Sequence, residues 1–166
     1  MKAEFGTPTN LKPIKMLELV TGNLLKADTE ALVNAVNTEG VMGKGIALQF
    51  KKKYPDMFEA YRRACKEGQV LPGRMHVYER REMINPRYII NFPTKRHWRS
   101  PSSIEDINDG LRALAEEIRE RHIKSIALPS LGCGNGGLDW SEVLPAIRSA
   151  LGDLTDVRLL VYPPND

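Results

Sequence analysis

The residues best suited to chemistry sit in loops dense in glycine. The stretch Pro129-Ser130-Leu131-Gly132-Cys133-Gly134-Asn135-Gly136-Gly137-Leu138 holds four glycines. A backbone of this kind can curl its N–H groups around phosphate oxygens. Keeping so much glycine costs conformational entropy, which favours a functional reading over a neutral one. A second loop, Thr38-Glu39-Gly40-Val41-Met42-Gly43-Lys44-Gly45-Ile46-Ala47, runs into the start of a predicted helix. Free N–H groups and a partial positive charge at such a start make an anion site, and Lys44 can add charge. Asn34 and Asn37 close the strand before it and are expected to point the same way. The spacing is that of neither a Walker loop nor a dinucleotide fingerprint. A third, plainer loop is Thr21-Gly22-Asn23-Leu24-Leu25; Gly22 admits close approach, and the Asn23 amide both donates and accepts. Two anion loops together imply a ligand with two phosphates, a nucleotide-diphosphate site.

Other reactive residue types carry weaker signals. Cys133 lies in the phosphate loop with no histidine near it in sequence to activate it, so a packing role is expected. His76, His97 and His122 lack metal-ligand spacing, and His76 is read as a satisfied strand histidine. Trp98 with Arg96 and Arg99 forms an aromatic and cationic patch. Such patches hold single strands by base stacking, although a loop tryptophan packing on its own domain fits equally. Glu39 can orient a water or a sugar hydroxyl, solvation being the plainer account.

These loops need a scaffold, and strands alternate with helices to supply one. Strands are predicted over Met16–Thr21, Ala31–Asn37, Met75–Tyr78, Tyr88–Phe92, Ser125–Leu128 and Arg158–Tyr162. Helices are predicted over Ile46–Tyr54, stopped by Pro55, then from an Asp56 cap to about Lys66. Further helices span Ile104–His122, with Ser103 as N-cap, and Ser141–Leu151. Ile107, Leu111, Leu114 and Ile118 fall on one face of the long helix. The alternation gives an α/β domain with helices on both faces of a mostly parallel sheet. In such sheets ligands bind beyond the carboxyl ends of the strands, where all three loops lie.

Composition sets the remaining bounds. The chain of 166 residues fits one domain, and 42% hydrophobic with 27% charged residues is ordinary for a globular protein. Residues 1–15 read as an N-terminal extension or expression scar, or else as a short arm packing on the domain, with the domain proper over 16–166. No apolar run is long enough to span a bilayer, and no signal-peptide pattern is present. Two cysteines, Cys65 and Cys133, form no C-x-x-C pair, so a disulfide scaffold or structural zinc is not expected, and a reducing cytoplasm is. A net charge of +3 permits nucleic-acid partners without requiring them.

Taken in order, V-T-G-N-L-L, A-L-V-N-A-V-N-T-E-G-V-M-G-K-G-I-A and L-P-S-L-G-C-G-N-G-G-L-D-W resemble the macrodomain family over Met16 to Tyr162. The resemblance implies a three-layer α/β/α fold around a mixed, mostly parallel six-stranded sheet, with ADP-ribose as ligand or product and no other cofactor or metal. It places adenine recognition at Asn23, standing where the family usually has aspartate, with Gly22 and Leu24 beside it as further ADP-ribose-binding residues. It places the distal ribose at Asn37, the first phosphate loop at Gly43, Gly45, Ile46 and Ala47, and the diphosphate loop at Ser130 through Leu138. The segment Asn91-Phe92-Pro93-Thr94-Lys95 is similar to the branch with a catalytic lysine, which makes Lys95 the expected catalytic residue. Within that branch the sequence resembles DarG-type antitoxins most. That implies removal of ADP-ribose from thymidine in single-stranded DNA, opposite a DarT-type toxin, by a cytoplasmic bacterial protein. A monomer is expected. Arg96, His97, Trp98 and Arg99 are then the expected DNA contacts. Lys95 can attack the anomeric carbon or protonate the leaving base, and the first route needs an amine kept neutral by burial or by a cation such as Arg96. The human terminal ADP-ribose glycohydrolase pairs its lysine with an aspartate where this chain has Gly136; Asp139 follows as a partner or as a helix cap. The alternatives are a hydrolase of ADP-ribosylated protein carboxylates or ADP-ribose derivatives, and a non-catalytic reader.

Overall fold

The computed structural model describes residues 17–165. The proposed extension over 1–15, and Met16 at the predicted strand start, lie outside the described residues. Six strands form one sheet: β1 (Leu17–Leu19), β2 (Ala31–Val36), β3 (His76–Glu79), β4 (Tyr88–Pro93), β5 (Ser125–Leu128) and β6 (Arg158–Val161). Their order is β1-β6-β5-β2-β4-β3. All neighbours pair in parallel except β3, which runs antiparallel to β4 at the edge. The mixed, mostly parallel sheet is therefore as expected.

Strand alternation splits the core into two layers. Val33, Ile90, Phe92, Ile126, Leu128 and Val161 face α3 (Ile104–Glu120) and α4 (Trp140–Leu151). Leu32, Val36, Ile89, Ala127 and Leu160 face α1 (Gly45–Lys53) and α2 (Pro55–Lys66). The predicted stripe Ile107, Leu111, Leu114 and Ile118 is wholly buried. Each such side chain stabilises the fold by roughly 1.5–3 kcal/mol of transfer free energy. Gly110 lets α3 close onto β4: a Cβ there would lie 2.4 Å from the Phe92 ring. That contact sets the strand end from which Lys95 emerges.

Several boundaries move for local reasons. Pro55 does not merely stop a helix; it opens α2 at its first position, where its missing N–H costs nothing, so Asp56 sits in the first turn instead of capping it. Ser103 caps α3 by accepting from the Asp106 N–H. The helix ends at Glu120, two residues short of the expected His122, whose φ of 54° is left-handed. Asn37 leaves β2 because its side chain builds the next loop. Asn34 and Asn37 do not point the same way. They are three positions apart, and Asn34 is buried under α1 and α2, donating to Asn91 Oδ1 at 3.0 Å.

Candidate functional site

Each of the five parallel strands delivers the loop after its carboxyl end to one cleft of about 1200 Å³. β1 leads to Val20–Leu24, β2 to Asn37–Ala47, β4 to Thr94–Arg99, β5 to Pro129–Gly136, and β6 to Tyr162–Asn165.

At one end, Gly22 has φ 118° and leaves open space at its Cα. Asn23 lines the cleft, but its Oδ1 already accepts the Leu25 N–H at 3.0 Å and so caps a short 3-10 turn. Its Nδ2 group has no partner among the described residues and can donate. Leu24 contributes to the lining while its side chain joins the core.

In the middle, Gly43, Gly45, Ile46 and Ala47 line the cleft at the start of α1. Lys44 holds the N-cap position without a side-chain cap, which leaves the first N–H groups of the helix available to an anion. Opposite, Ser130, Gly132, Cys133, Gly134, Asn135 and Gly136 line the cleft. Gly132, Gly134 and Gly137 take φ between 67° and 81°, turns that side chains resist. Leu131 and Leu138 do not reach the cleft. Leu131 is wholly buried, and Leu138 packs on the core beneath Gly132. Burial and the nearby Asp139 push the Cys133 thiol up, which keeps it protonated and weakly nucleophilic.

At the far end, Asn37 lines the cleft, with its amide oxygen and one amide hydrogen engaged by the loop. Its Oδ1 accepts from the Glu39 N–H at 2.9 Å and the Tyr61 hydroxyl at 2.9 Å, and its Nδ2 donates to the Val41 carbonyl at 2.9 Å. The side chain thus shapes the loop wall. Thr94 N–H donates to the Val36 carbonyl at 2.8 Å, tying the end of β4 to β2. Lys95 follows at once and donates from Nζ to the Trp98 carbonyl at 3.1 Å. Burial, then the positive charge of Lys44, holds its amine below the usual lysine range. The cation that acts on Lys95 is therefore Lys44 and not Arg96, which turns away to pair with Asp106 at 2.9 Å.

The expected DNA contacts divide. Trp98 and Arg99 line the cleft; Arg96 and His97 do not. His97 stands 3.5 Å from Glu39, which is likewise outside the lining. Asp139 lies outside it too, at the N-cap position of α4, and accepts the Glu142 and Val143 N–H groups through its backbone carbonyl. Gly136 has no room for an acidic side chain: a Cβ there would meet Ser102 Oγ at 2.4 Å. Among the described residues, Lys44, Lys95 and Arg99 are the charged groups lining the cleft, and no carboxylate does.

The family model named Macro domain matches residues 33–147. This chain is a macrodomain. It is 56% identical over 149 residues to a DNA ADP-ribosyl glycohydrolase of Thermus aquaticus, covering 90% of this chain and 41% of that protein. The macrodomain of Mycobacterium tuberculosis DarG superposes with a TM-score of 0.89 at 55% identity, over 90% of this chain and 99% of that one. Thermosipho africanus DarTG, solved in complex with ADP-ribose, superposes with a TM-score of 0.85 at 37% identity, over 93% of this chain and 43% of that one. The chain thus spans about two-fifths of the length of the curated relatives it matches. Among the described residues no helix is long and apolar enough to cross a membrane.

Sequence reasoning did not single out the wall formed by Tyr162, Pro163, Pro164 and Asn165, nor Gln49 and Thr94 as lining residues. The strand-end rule that found the other loops applies equally to β6, so the signal was there.

Proposed function

We propose that this macrodomain hydrolyses the bond between ADP-ribose and a thymidine base in single-stranded DNA, with Lys95 as the reacting group. The observation that carries this reading is an amine kept below its usual range in a cleft whose charged lining groups, among the described residues, are all cations. The cations and the two anion loops suit a diphosphate. With no carboxylate among the described lining residues to serve as general base, the lysine itself is the available nucleophile.

In this reading the Lys95 Nζ lone pair attacks the anomeric carbon of the distal ribose. The carbon–nitrogen bond to the base breaks, and the departing nitrogen takes the electron pair together with a proton from the new ammonium. Water then displaces the lysine, directly or through its Schiff base, and releases ADP-ribose. The DNA glycohydrolase named above, at 56% identity, supports a DNA substrate, and DarTG supports pairing with a DarT-type toxin. The reaction belongs where bacterial DNA is, in the cytoplasm.

The test follows ADP-ribose release from a thymidine-modified single-stranded oligonucleotide on a gel, with wild type beside Lys95→Ala. The variant should lose turnover by about 10²–10⁴-fold, while calorimetry shows ADP-ribose affinity within a few-fold of wild type. Binding that falls in step with turnover would make Lys95 a binding residue only. A wild type that leaves the DNA intact but clears an ADP-ribosylated glutamate peptide would overturn the substrate.

A further inference from the structure

Trp98 stays 38% exposed on the cleft wall, beside the reacting amine. The His97 ring stacks on it with centroids 5.6 Å apart and planes tilted by 22°. The Arg99 guanidinium lies 4.4 Å from its ring centroid. Imidazole and guanidinium thus both lie against the partly exposed indole, and the three groups form one cluster, the His97–Trp98–Arg99 pile.

The pile is held by bonds that do not need a ligand. The Arg99 N–H donates to His97 Nδ1 at 3.0 Å, and the Ser100 N–H donates to the His97 carbonyl at 2.9 Å. The Thr38 hydroxyl donates to the Arg96 carbonyl at 2.7 Å, and Glu39 stands by His97. Asp106, at the start of α3, anchors the Arg96 side chain. These ties fix the loop to two separate elements, so little order has to be gained on binding. The Lys95–Trp98 hydrogen bond places the pile and the amine within one turn of chain.

We propose that the His97–Trp98–Arg99 pile receives the nucleobase next to the one carrying ADP-ribose, so that Trp98 determines specificity for a nucleic-acid strand. The inference rests on the DNA reading above and adds the neighbouring nucleotide to it. A flat base extends a pile of flat groups whatever its identity, and Arg99 can meet the adjoining phosphate. A glutamate ester on a polypeptide offers neither a ring at a fixed offset nor a phosphate.

The experiment compares kcat/KM for an ADP-ribosylated single-stranded oligonucleotide with that for ADP-ribosylated thymidine nucleoside. Wild type, Trp98→Phe and Trp98→Leu are measured side by side. Wild type should prefer the strand by roughly ten- to hundredfold, as stacking on one aromatic supplies. Trp98→Phe should keep most of that preference and Trp98→Leu should bring it close to one. Equal preference in wild type and Trp98→Leu would overturn the proposal, as would a wild type that does not distinguish the two compounds. Release from neither compound would sink the parent reading, and the pile with it. Should Trp98→Leu fail to fold, quenching of indole emission by an unmodified single strand in a Trp140→Phe protein decides: quenching supports the pile, and its absence refutes it.

Discussion

Replacing Gly136 by alanine isolates the packing that distinguishes this cleft from one with an acidic partner for its lysine. Gly136 is not among the positive-φ glycines, so alanine meets no backbone objection there. Its Cβ would instead lie 2.4 Å from Ser102 Oγ and 3.0 Å from Ser102 Cβ. Neither partner yields easily. Ser102 is 8% exposed, and its N–H donates to the Gly136 carbonyl at 2.9 Å. Overpacking of this kind costs about 1–3 kcal/mol, against about 0.4–1 kcal/mol gained by stiffening the unfolded chain. A net loss of about 1–2 kcal/mol corresponds to a drop in Tm of roughly 2–8 °C for a domain of this size. Ser102→Gly removes the obstacle, and with it a buried hydroxyl that has no hydrogen-bond partner among the described residues. In that background Gly136→Ala should cost nothing. Thermal melts of the two single variants, the double variant and wild type close the cycle, with a coupling of about 1–3 kcal/mol expected. Additive effects, or an unchanged Tm for Gly136→Ala, would refute the claim that Ser102 fills this site.

Two further perturbations test the electrostatics. Lys44→Met removes the cation beside Lys95, so the Lys95 amine should move back toward the ordinary lysine range. Less of it is then neutral near pH 7, and the rising limb of kcat against pH, measured with saturating oligonucleotide, should shift to more alkaline pH; an unmoved limb excludes Lys44 from this role. His76 is held below its ordinary value of 6.5 by burial, and its Nδ1 lies 3.1 Å from the Asn91 amide nitrogen. A depressed folded-state pKa means that the unfolded chain takes up the proton first. Stability from this group is present above about pH 6.5 and lost as pH falls toward the folded value. Wild-type Tm should therefore drop more steeply than that of His76→Gln between pH 7 and 5, and parallel slopes would reject the assignment.

Legibility from sequence followed the kind of signal involved. A short apolar run marked β5, which is buried on both faces, and periodicity marked the α3 stripe, which is buried along one face; α3 also carries its own cap at Ser103. The loops were visible because glycine clusters mark unusual backbone. What could not be read was direction. Leu131 sits within the diphosphate loop in sequence yet turns into the core, and Arg96 sits beside Lys95 yet reaches for Asp106 on α3. Both outcomes depend on tertiary contacts, with the core cluster for Leu131 and with α3 for Arg96, which no local pattern reveals. Asn37 is a similar case. The family resemblance implies a ligand contact there, and Asn37 does line the cleft, but Tyr61 from α2 and a loop N–H hold its amide oxygen.

The same limit applies to Lys95. Its immediate neighbours in sequence include cations, and Arg96 looks like the group that would keep the amine neutral. In the fold, Arg96 is paired with Asp106, while Lys44, 51 residues away in sequence, acts on Lys95 within the cleft. A carboxylate partner is missing from the cleft lining for an equally non-local reason, since Ser102 occupies the space beside Gly136 and Asp139 holds the N-cap position of α4, outside that lining. A lysine without a carboxylate beside it holds no fixed ion pair, and a neighbouring ammonium opposes its protonation. Both conditions favour the neutral amine, the form that attack on an anomeric carbon requires. The missing acid is thus consistent with nucleophilic use of Lys95 and is not a defect in the site. An acidic residue installed beside Lys95, even one that packed well, should favour the protonated form and slow that attack.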